Sequence, residues 1–343
     1  MLTRDFDYHL PQELIAQEPI TPRDASRLLV VHRDSGQLEH RIFRDIVAYL
    51  RPGDVLVVNE TRVIPARVQA VKVPTGGKVE LLLLARRDDL RWEALVKGRR
   101  VNVGQRLALR REDGEPGLQG TVIEVTPAGG RLIAFDEPVE PHLRHVGAVP
   151  LPPYIHTPLA DAERYQTVYA RQEGSVAAPT AGLHFTPELI QKISDLGVTW
   201  ERVLLHIGLD TFRPVHEERV EEHAIHSEYC QLAADTAERI TRAKAEGRRV
   251  IAVGTTVVRV LESAAQGVDA GVKPWDGPTE LFIYPGYQFR AVDALITNFH
   301  LPRSSLLMLV SALAGRELML KAYREATAER YRFYSFGDSM LIL

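Results

Sequence analysis

Residues 54–85, DVLVVNETRVIPARVQAVKVPTGGKVELLLLA, contain a change of architecture. Asp54–Asn59 is an apolar strand candidate set off by the turn Arg51-Pro52-Gly53. Beyond about Ala66, helical periodicity all but vanishes, and short alternating or apolar runs follow one another: Arg67–Val73, Lys78–Ala85, Arg91–Val96, Gln105–Leu109, Gly120–Val125 and Arg131–Phe135. Turns at Thr75-Gly76-Gly77, Glu112-Asp113-Gly114 and Ala128-Gly129-Gly130 divide them. Six strands at this spacing predict a small antiparallel barrel or sandwich.

On either side the pattern is mixed. Upstream, Leu28–His32 reads as a strand and Phe43–Leu50 as a helix. After the connector Pro150-Leu151-Pro152-Pro153, a helix is expected over Pro187–Leu196, ending at Gly197, then a strand over Val203–Ile207. Next come a helix over Thr236–Glu246, a strand over Arg249–Val253, a helix over Val257–Ala265, a strand over Ala294–Thr297 and a buried helix over Ser305–Ala314. The fold class is therefore α/β: one discontinuous α/β domain, residues 1–65 and 151–343, carrying an inserted all-β, barrel-like domain, residues 66–150.

Composition narrows the function. A net charge of −3 argues against a wholly cationic surface, and 45% hydrophobic with 25% charged residues is a globular composition. The single cysteine, Cys230, leaves no internal disulfide and no cysteine-rich metal site, pointing to a reducing compartment. Neither a leader-like N-terminus nor a bilayer-length apolar run occurs, so the expectation is a cytoplasmic protein without membrane contact. No extended heptad seam or obvious exposed apolar face is seen, and a monomer is expected. No G-x-x-x-x-G-K-[ST] or G-x-G-x-x-G loop is present. His216 and His223 stand seven apart, where a zincin helix needs four, and no metal site is expected.

Polar groups collect instead after strands. Val253 breaks at Gly254 into Thr255 and Thr256 and then a helix bearing Arg259, a shelf where unpaired helical N–H groups meet hydroxyls. The stretch Tyr165–Phe185, YQTVYARQEGSVAAPTAGLHF, concentrates Glu173, Thr180, Gly182 and His184. Asn59-Glu60-Thr61-Arg62, His206–Pro214 and Thr297–Ser304 repeat the pattern, and in α/β domains ligands gather at such strand ends. Between Arg86 and Arg111, nine basic residues face three acidic ones, a footprint for nucleic acid on the insertion.

DFDYHLPQELIAQEP near the start, VVNETRVIPAR, YQTVYA, EGSVAAPTAGLHFT, HIGLDTFRPV, HSEY, VGTTVVRVLES, TNFHLPRSSLLMLVSAL and the terminal FYSFGDSMLI together resemble the S-adenosylmethionine:tRNA ribosyltransferase-isomerase family (the QueA family of queuosine biosynthesis), from Asp5 to Leu341. The resemblance implies an enzyme that transfers and isomerises the ribosyl group of S-adenosylmethionine onto 7-aminomethyl-7-deazaguanine at the wobble position of tRNA. Epoxyqueuosine-tRNA, adenine and methionine would be the products. It implies tRNA and S-adenosylmethionine as substrates, no separate cofactor, and a general base beside the sulfonium. The proton-transfer candidates are Glu173, His184, His206, Asp210 and His300, with His184 or His206 expected as base and Asp210 as its orienting partner. Substrate-binding candidates are Arg62, Arg67, Thr180, Gly182, Arg213, Thr255, Thr256, Arg259, Asn298 and Ser304; the arginines suit a methionine carboxylate or a tRNA phosphate. Two other classes fit parts of the pattern: a nucleoside hydrolase or methyltransferase using the same small molecule, and a non-catalytic tRNA-binding module.

Overall fold

The computed structural model describes residues 1–111, 116–126, 129–208 and 215–343. The expected turn Glu112-Asp113-Gly114 and the site candidates Asp210 and Arg213 lie outside the described residues. The chain divides into two compact units, one of Met1–Arg62, Pro152–Gln172 and Ala178–Leu343, the other of Val63–Leu151 and Glu173–Ala177.

The larger unit opens with β1 (Arg27–Val31), β2 (Leu38–Ile42) and β3 (Val55–Asn59). Between β2 and β3, Phe43–Tyr49 forms a 3-10 helix that buries Phe43 and Ile46, tighter than the sequence suggested. After β4 (Thr61–Val63) come β5 (Arg67–Val73), β6 (Lys78–Arg86), β7 (Arg91–Lys97), β8 (Arg106–Arg110), β9 (Pro116–Val125) and β10 (Arg131–Phe135). Helix α1 (Glu140–Val146), β11 (Gly147–Ala148) and β12 (Gln172–Ser175) follow.

β5 to β10 run in the order β5-β6-β7-β10-β9-β8, and β8 pairs back onto β5, closing a six-stranded antiparallel barrel. Closure removes the exposed edges that an open sheet of this length would present. Alternating residues fill the interior, among them Val68, Ala70, Val79, Leu81, Leu83, Trp92, Ala94, Leu107, Val122 and Ile133.

The remaining elements complete the larger unit: α2 (Pro187–Asp195), β13 (Thr199–Leu205), β14 (Glu228–Leu232), α3 (Ala234–Ala245), β15 (Val250–Val253), α4 (Thr255–Ala264), β16 (Trp275–Thr279), β17 (Ala294–Asn298), α5 (Ser305–Ala314), α6 (Arg316–Ala328) and β18 (Ser339–Ile342). The strand expected over Val203–Ile207 instead starts at Thr199 and stops at Leu205, because Thr199–Val203 pair in parallel with Val55–Asn59. The nine strands order as β16-β14-β13-β3-β15-β17-β18-β1-β2. β13, β3, β15 and β17 are mutually parallel, while β18 enters antiparallel to β17 and parallel to β1.

All five residues of β3 are buried, as are all of β15 and β17. These central strands lie covered on both faces, which is why their sequences are continuous apolar runs. On one face Leu28, Leu56, Val58, Ile251, Val253 and Ile296 pack against Phe43, Ile46, Phe185, Leu189 and Ile193. No helix among the described residues is long and apolar enough to cross a membrane.

Candidate active site

Three of the parallel strands send the segments that follow them to one cleft. Ile207 follows β13, Gly254-Thr255-Thr256 follow β15, and Asn298–Leu301 close β17. Tyr334 and Ser335 arrive just before β18, whose antiparallel start lies beside the end of β17. With Tyr154, Thr180, Thr297 and Ser304 these residues line a cleft. A cleft beyond the carboxyl ends of parallel strands is where an α/β sheet leaves backbone and side-chain polar groups free for a ligand.

Gly254 has φ +94°, a left-handed conformation that a side chain would strain, and it sends β15 directly into α4. Among the described residues no side chain caps α4, and Thr255 and Thr256 of its first turn, whose N–H groups have no intrahelical acceptor, line the cleft. Ser304 caps α5 instead: its Oγ accepts from Leu307 N–H at 3.2 Å and donates to the Leu301 carbonyl at 2.7 Å. Tyr154 and Tyr334 stand with ring centroids 4.7 Å apart, and the Tyr154 and Ser335 hydroxyls lie 2.7 Å from each other. Burial raises the pKa of both phenols, so they act as neutral hydrogen-bonding and stacking groups.

The imidazoles separate into distinct environments. His300 lines the cleft, with Nε2 2.8 Å from Thr297 Oγ1 and, among the described residues, no hydrogen-bond partner on Nδ1. Burial lowers its pKa to about 3, so the ring is neutral at physiological pH. His184 is buried behind the cleft wall, its ring tilted against Phe43 with centroids 5.0 Å apart, with Nδ1 2.7 Å from Ser26 Oγ and Nε2 3.1 Å from Asn298 Nδ2. Both its ring nitrogens are occupied by protein. Burial, followed by the charges of Arg23 and Arg332, brings its pKa to about 3. His206, just beyond β13, bonds Thr61 Oγ1 through Nδ1 at 2.9 Å and stacks on Tyr229, and burial lowers its pKa. Its neighbour Ile207, not His206 itself, lines the cleft.

Of the residues expected at the site, the cleft brings together Thr180, Thr255, Thr256, Asn298, His300 and Ser304. Gly182 lies behind them, where a Cβ would come 2.0 Å from Tyr169 Oη, so glycine is required by close approach. Arg259, a residue of α4, is buried, paired with Glu228 and donating to the Thr279 and Leu281 carbonyls at 3.2 Å each. Arg62 pairs with Glu163. In the barrel unit Arg67 pairs with Glu80 at 3.3 Å, and the exposed Glu173 pairs with Arg144 at 3.0 Å. Tyr154, Thr297 and Tyr334 were not among the sequence candidates. The motif FYSFGDSMLI contained Tyr334 and Ser335, but only the strand order carries it to the cleft. No group of three or more metal-ligating side chains occurs among the described residues.

The model of a family described as "Queuosine biosynthesis protein" matches residues 3–342. Proteins named S-adenosylmethionine:tRNA ribosyltransferase-isomerase from Moorella thermoacetica and Symbiobacterium thermophilum are 57% and 56% identical, each alignment covering 100% of both chains. A crystal structure of S-adenosylmethionine tRNA ribosyltransferase from Thermotoga maritima is 41% identical, with TM-score 0.57, over 99% of this chain and 100% of that one. With a family match across nearly its whole length and relatives of this identity, the chain belongs to the queuosine biosynthesis protein family.

Proposed function

We propose that the cleft binds S-adenosylmethionine, and that the chain transfers and isomerises its ribosyl group onto 7-aminomethyl-7-deazaguanine at the tRNA wobble position, with release of adenine and methionine. The observation that carries this reading is the meeting of an aromatic pair, an uncapped helix start and a neutral imidazole at one set of strand ends, in a chain of this family. Tyr154 and Tyr334 offer stacking faces for a purine. The amides opening α4 suit the methionine carboxylate.

His300 is the base in this reading, since it lines the cleft with a free Nδ1 and arrives unprotonated. With Nε2–H donating to Thr297, Nδ1 takes a hydrogen from the ribose 5′ carbon. Burial makes it a weak base, so the step relies on the adjacent sulfonium to acidify that hydrogen. Adenine departs, the tRNA amine attacks the ribosyl fragment, and methionine leaves as the epoxide closes. S-adenosylmethionine is consumed as a substrate. The reading places the protein in the cytoplasm, acting as a monomer on tRNA.

The barrel offers a face for the RNA. Arg86, Arg87, Arg91 and Arg106 are paired with Asp89, Glu93, Asp88 and Asp136, so four of the nine basic residues between Arg86 and Arg111 have carboxylate partners. Lys78, Lys97, Arg99 and Arg100 are exposed at the opposite turns. Lys72 ties that end together by donating to the Arg99 and Arg100 carbonyls. Glu80, across the ladder from Lys97, is engaged by Arg67 and Gln69. Four cations without carboxylate partners among the described residues suit phosphate binding.

The test is incubation with S-adenosylmethionine labelled in the ribose and tRNA carrying the aminomethyl base, followed by nucleoside mass analysis. Label in the tRNA, with equal yields of adenine and methionine, is expected. Release of S-adenosylhomocysteine would overturn the reading in favour of methyl transfer.

A further inference from the structure

Thr180, Asn298, His184 and Ser26 form one hydrogen-bonded line from the cleft wall into the core. Its proton order follows from the group beside it that cannot donate. Asn298 lies 3.3 Å from the Tyr334 carbonyl oxygen, so its amide nitrogen must face that acceptor. The same nitrogen is 3.1 Å from His184 Nε2, which therefore presents a lone pair. The imidazole proton is then on Nδ1, directed at Ser26 Oγ 2.7 Å away. At the other end Asn298 Oδ1, an acceptor, faces Thr180 Oγ1 at 3.0 Å, so the threonine hydroxyl donates inward. The reverse order would turn Asn298 Oδ1 toward the Tyr334 carbonyl and set two acceptors against each other.

Thr180 is the member of this line that is partly exposed and lines the cleft beside Asn298. With its hydrogen committed to Asn298, it has only lone pairs to offer a ligand. A threonine is ordinarily ambivalent, because its hydroxyl rotates to suit either kind of partner. This one is polarised by three buried neighbours.

We propose that Thr180 is an obligatory hydrogen-bond acceptor that reads an N–H or O–H donor of the bound nucleoside, and that Asn298, His184 and Ser26 are positioning residues that hold it in that sense. The proposal rests on the reading of the cleft as the S-adenosylmethionine site and adds the polarity of one interaction. The adenine 6-amino group and the ribose hydroxyls are the donors that such an acceptor selects. His184, with both nitrogens engaged, acts through Asn298 and takes no proton from the substrate.

Two measurements on the full chain test it. In histidine-labelled protein, two-bond ¹H–¹⁵N correlation spectra, with His184 assigned from the His184→Gln variant, are expected to report the Nδ1–H tautomer at neutral pH. An Nε2–H tautomer would overturn the proton order. Calorimetric titration with S-adenosylmethionine is expected to show Thr180→Ser within about twofold of the parent and Thr180→Val weaker by about tenfold. Analogues lacking the 6-amino group or one ribose hydroxyl identify the donor: the one that loses about tenfold on the parent and nothing further on Thr180→Val is the partner. Equal binding by Thr180→Val and the parent, or no analogue coupled to Thr180, refutes the hydrogen bond. If the parent itself fails to bind S-adenosylmethionine, the functional reading falls and the hydrogen bond proposed on it falls too, while the tautomer still decides the order of protons along the line.

Discussion

Replacing Arg259 with methionine is expected to destabilise the α/β unit while leaving S-adenosylmethionine binding nearly intact. Arg259 and its partner Glu228 are 5% and 4% exposed. Arg259 is bonded to Glu228 and to the Thr279 and Leu281 carbonyls, so its donors are directed into the protein. The second Glu228 oxygen accepts from Gly208 N–H at 2.9 Å and lies 3.3 Å from His226 Nε2. Burial pushes the Glu228 carboxyl up, but the His226 hydrogen bond and the Arg259 charge outweigh it and hold the pKa below its ordinary value. Without Arg259 a buried carboxylate is left short of its main counter-charge, a loss of about 3–5 kcal/mol in comparable pairs. At roughly 2–4 °C per kcal/mol for units of this size, the melting temperature should fall by about 6–20 °C. Thermal unfolding of Arg259→Met, Glu228→Leu and the double variant measures it, and the double variant should recover at least half of the loss because no orphan charge remains. S-adenosylmethionine affinity well below the melting point should stay within about threefold. If Arg259→Met melts like the parent and loses affinity more than tenfold, Arg259 is a ligand-binding residue and the structural assignment fails.

Acid should destabilise the fold through its buried imidazoles. His184 and His300 have folded pKa values of about 3 against an ordinary 6.5, so their contribution is complete above pH 6.5. Below that the unfolded chain takes up protons that the folded chain refuses, and each histidine removes about 1.4 kcal/mol per pH unit down to about pH 3. Urea unfolding at pH 7 and pH 5 measures this, and His300→Gln should flatten the dependence by one histidine's share. The same His300→Gln variant should slow single-turnover ribosyl transfer by about 10²–10⁴ with S-adenosylmethionine binding retained; an unchanged rate removes His300 as the base. Changing Lys97, Arg99 and Arg100 to glutamine should weaken tRNA binding and lower the slope of log K against log salt by about one for each phosphate no longer neutralised. An unchanged slope would place the RNA elsewhere.

Local pattern carried much of the fold. The six barrel strands were legible because each alternates or runs apolar between turn residues, and α5 was legible because Ser304 caps a predominantly apolar stretch. The marginal strands were not: the edge strands β2 (LEHRI) and β16 (WDGPT), and β14 (EYCQL) next to β16, lack a continuous apolar run, since strands toward the margin of a sheet need not bury both faces. α6 was overlooked although Met319, Ala322, Tyr323 and Ala326 recur at helical spacing, because charged residues surround that narrow stripe.

For the site, the sequence determined the pool: polar segments after apolar strands, with Gly254 breaking β15 into two threonines. Which members face a ligand was decided by tertiary structure. His184 and Arg259 resemble ligand groups as letters, yet one is held by Ser26, 158 residues away, and the other by Glu228, 31 residues away. Tyr334 reaches the cleft through the pairing of β18 with β17. Periodicity is written in neighbouring residues and survives in the sequence, whereas the direction and partner of a polar side chain depend on contacts between distant segments that exist only once the sheet has formed.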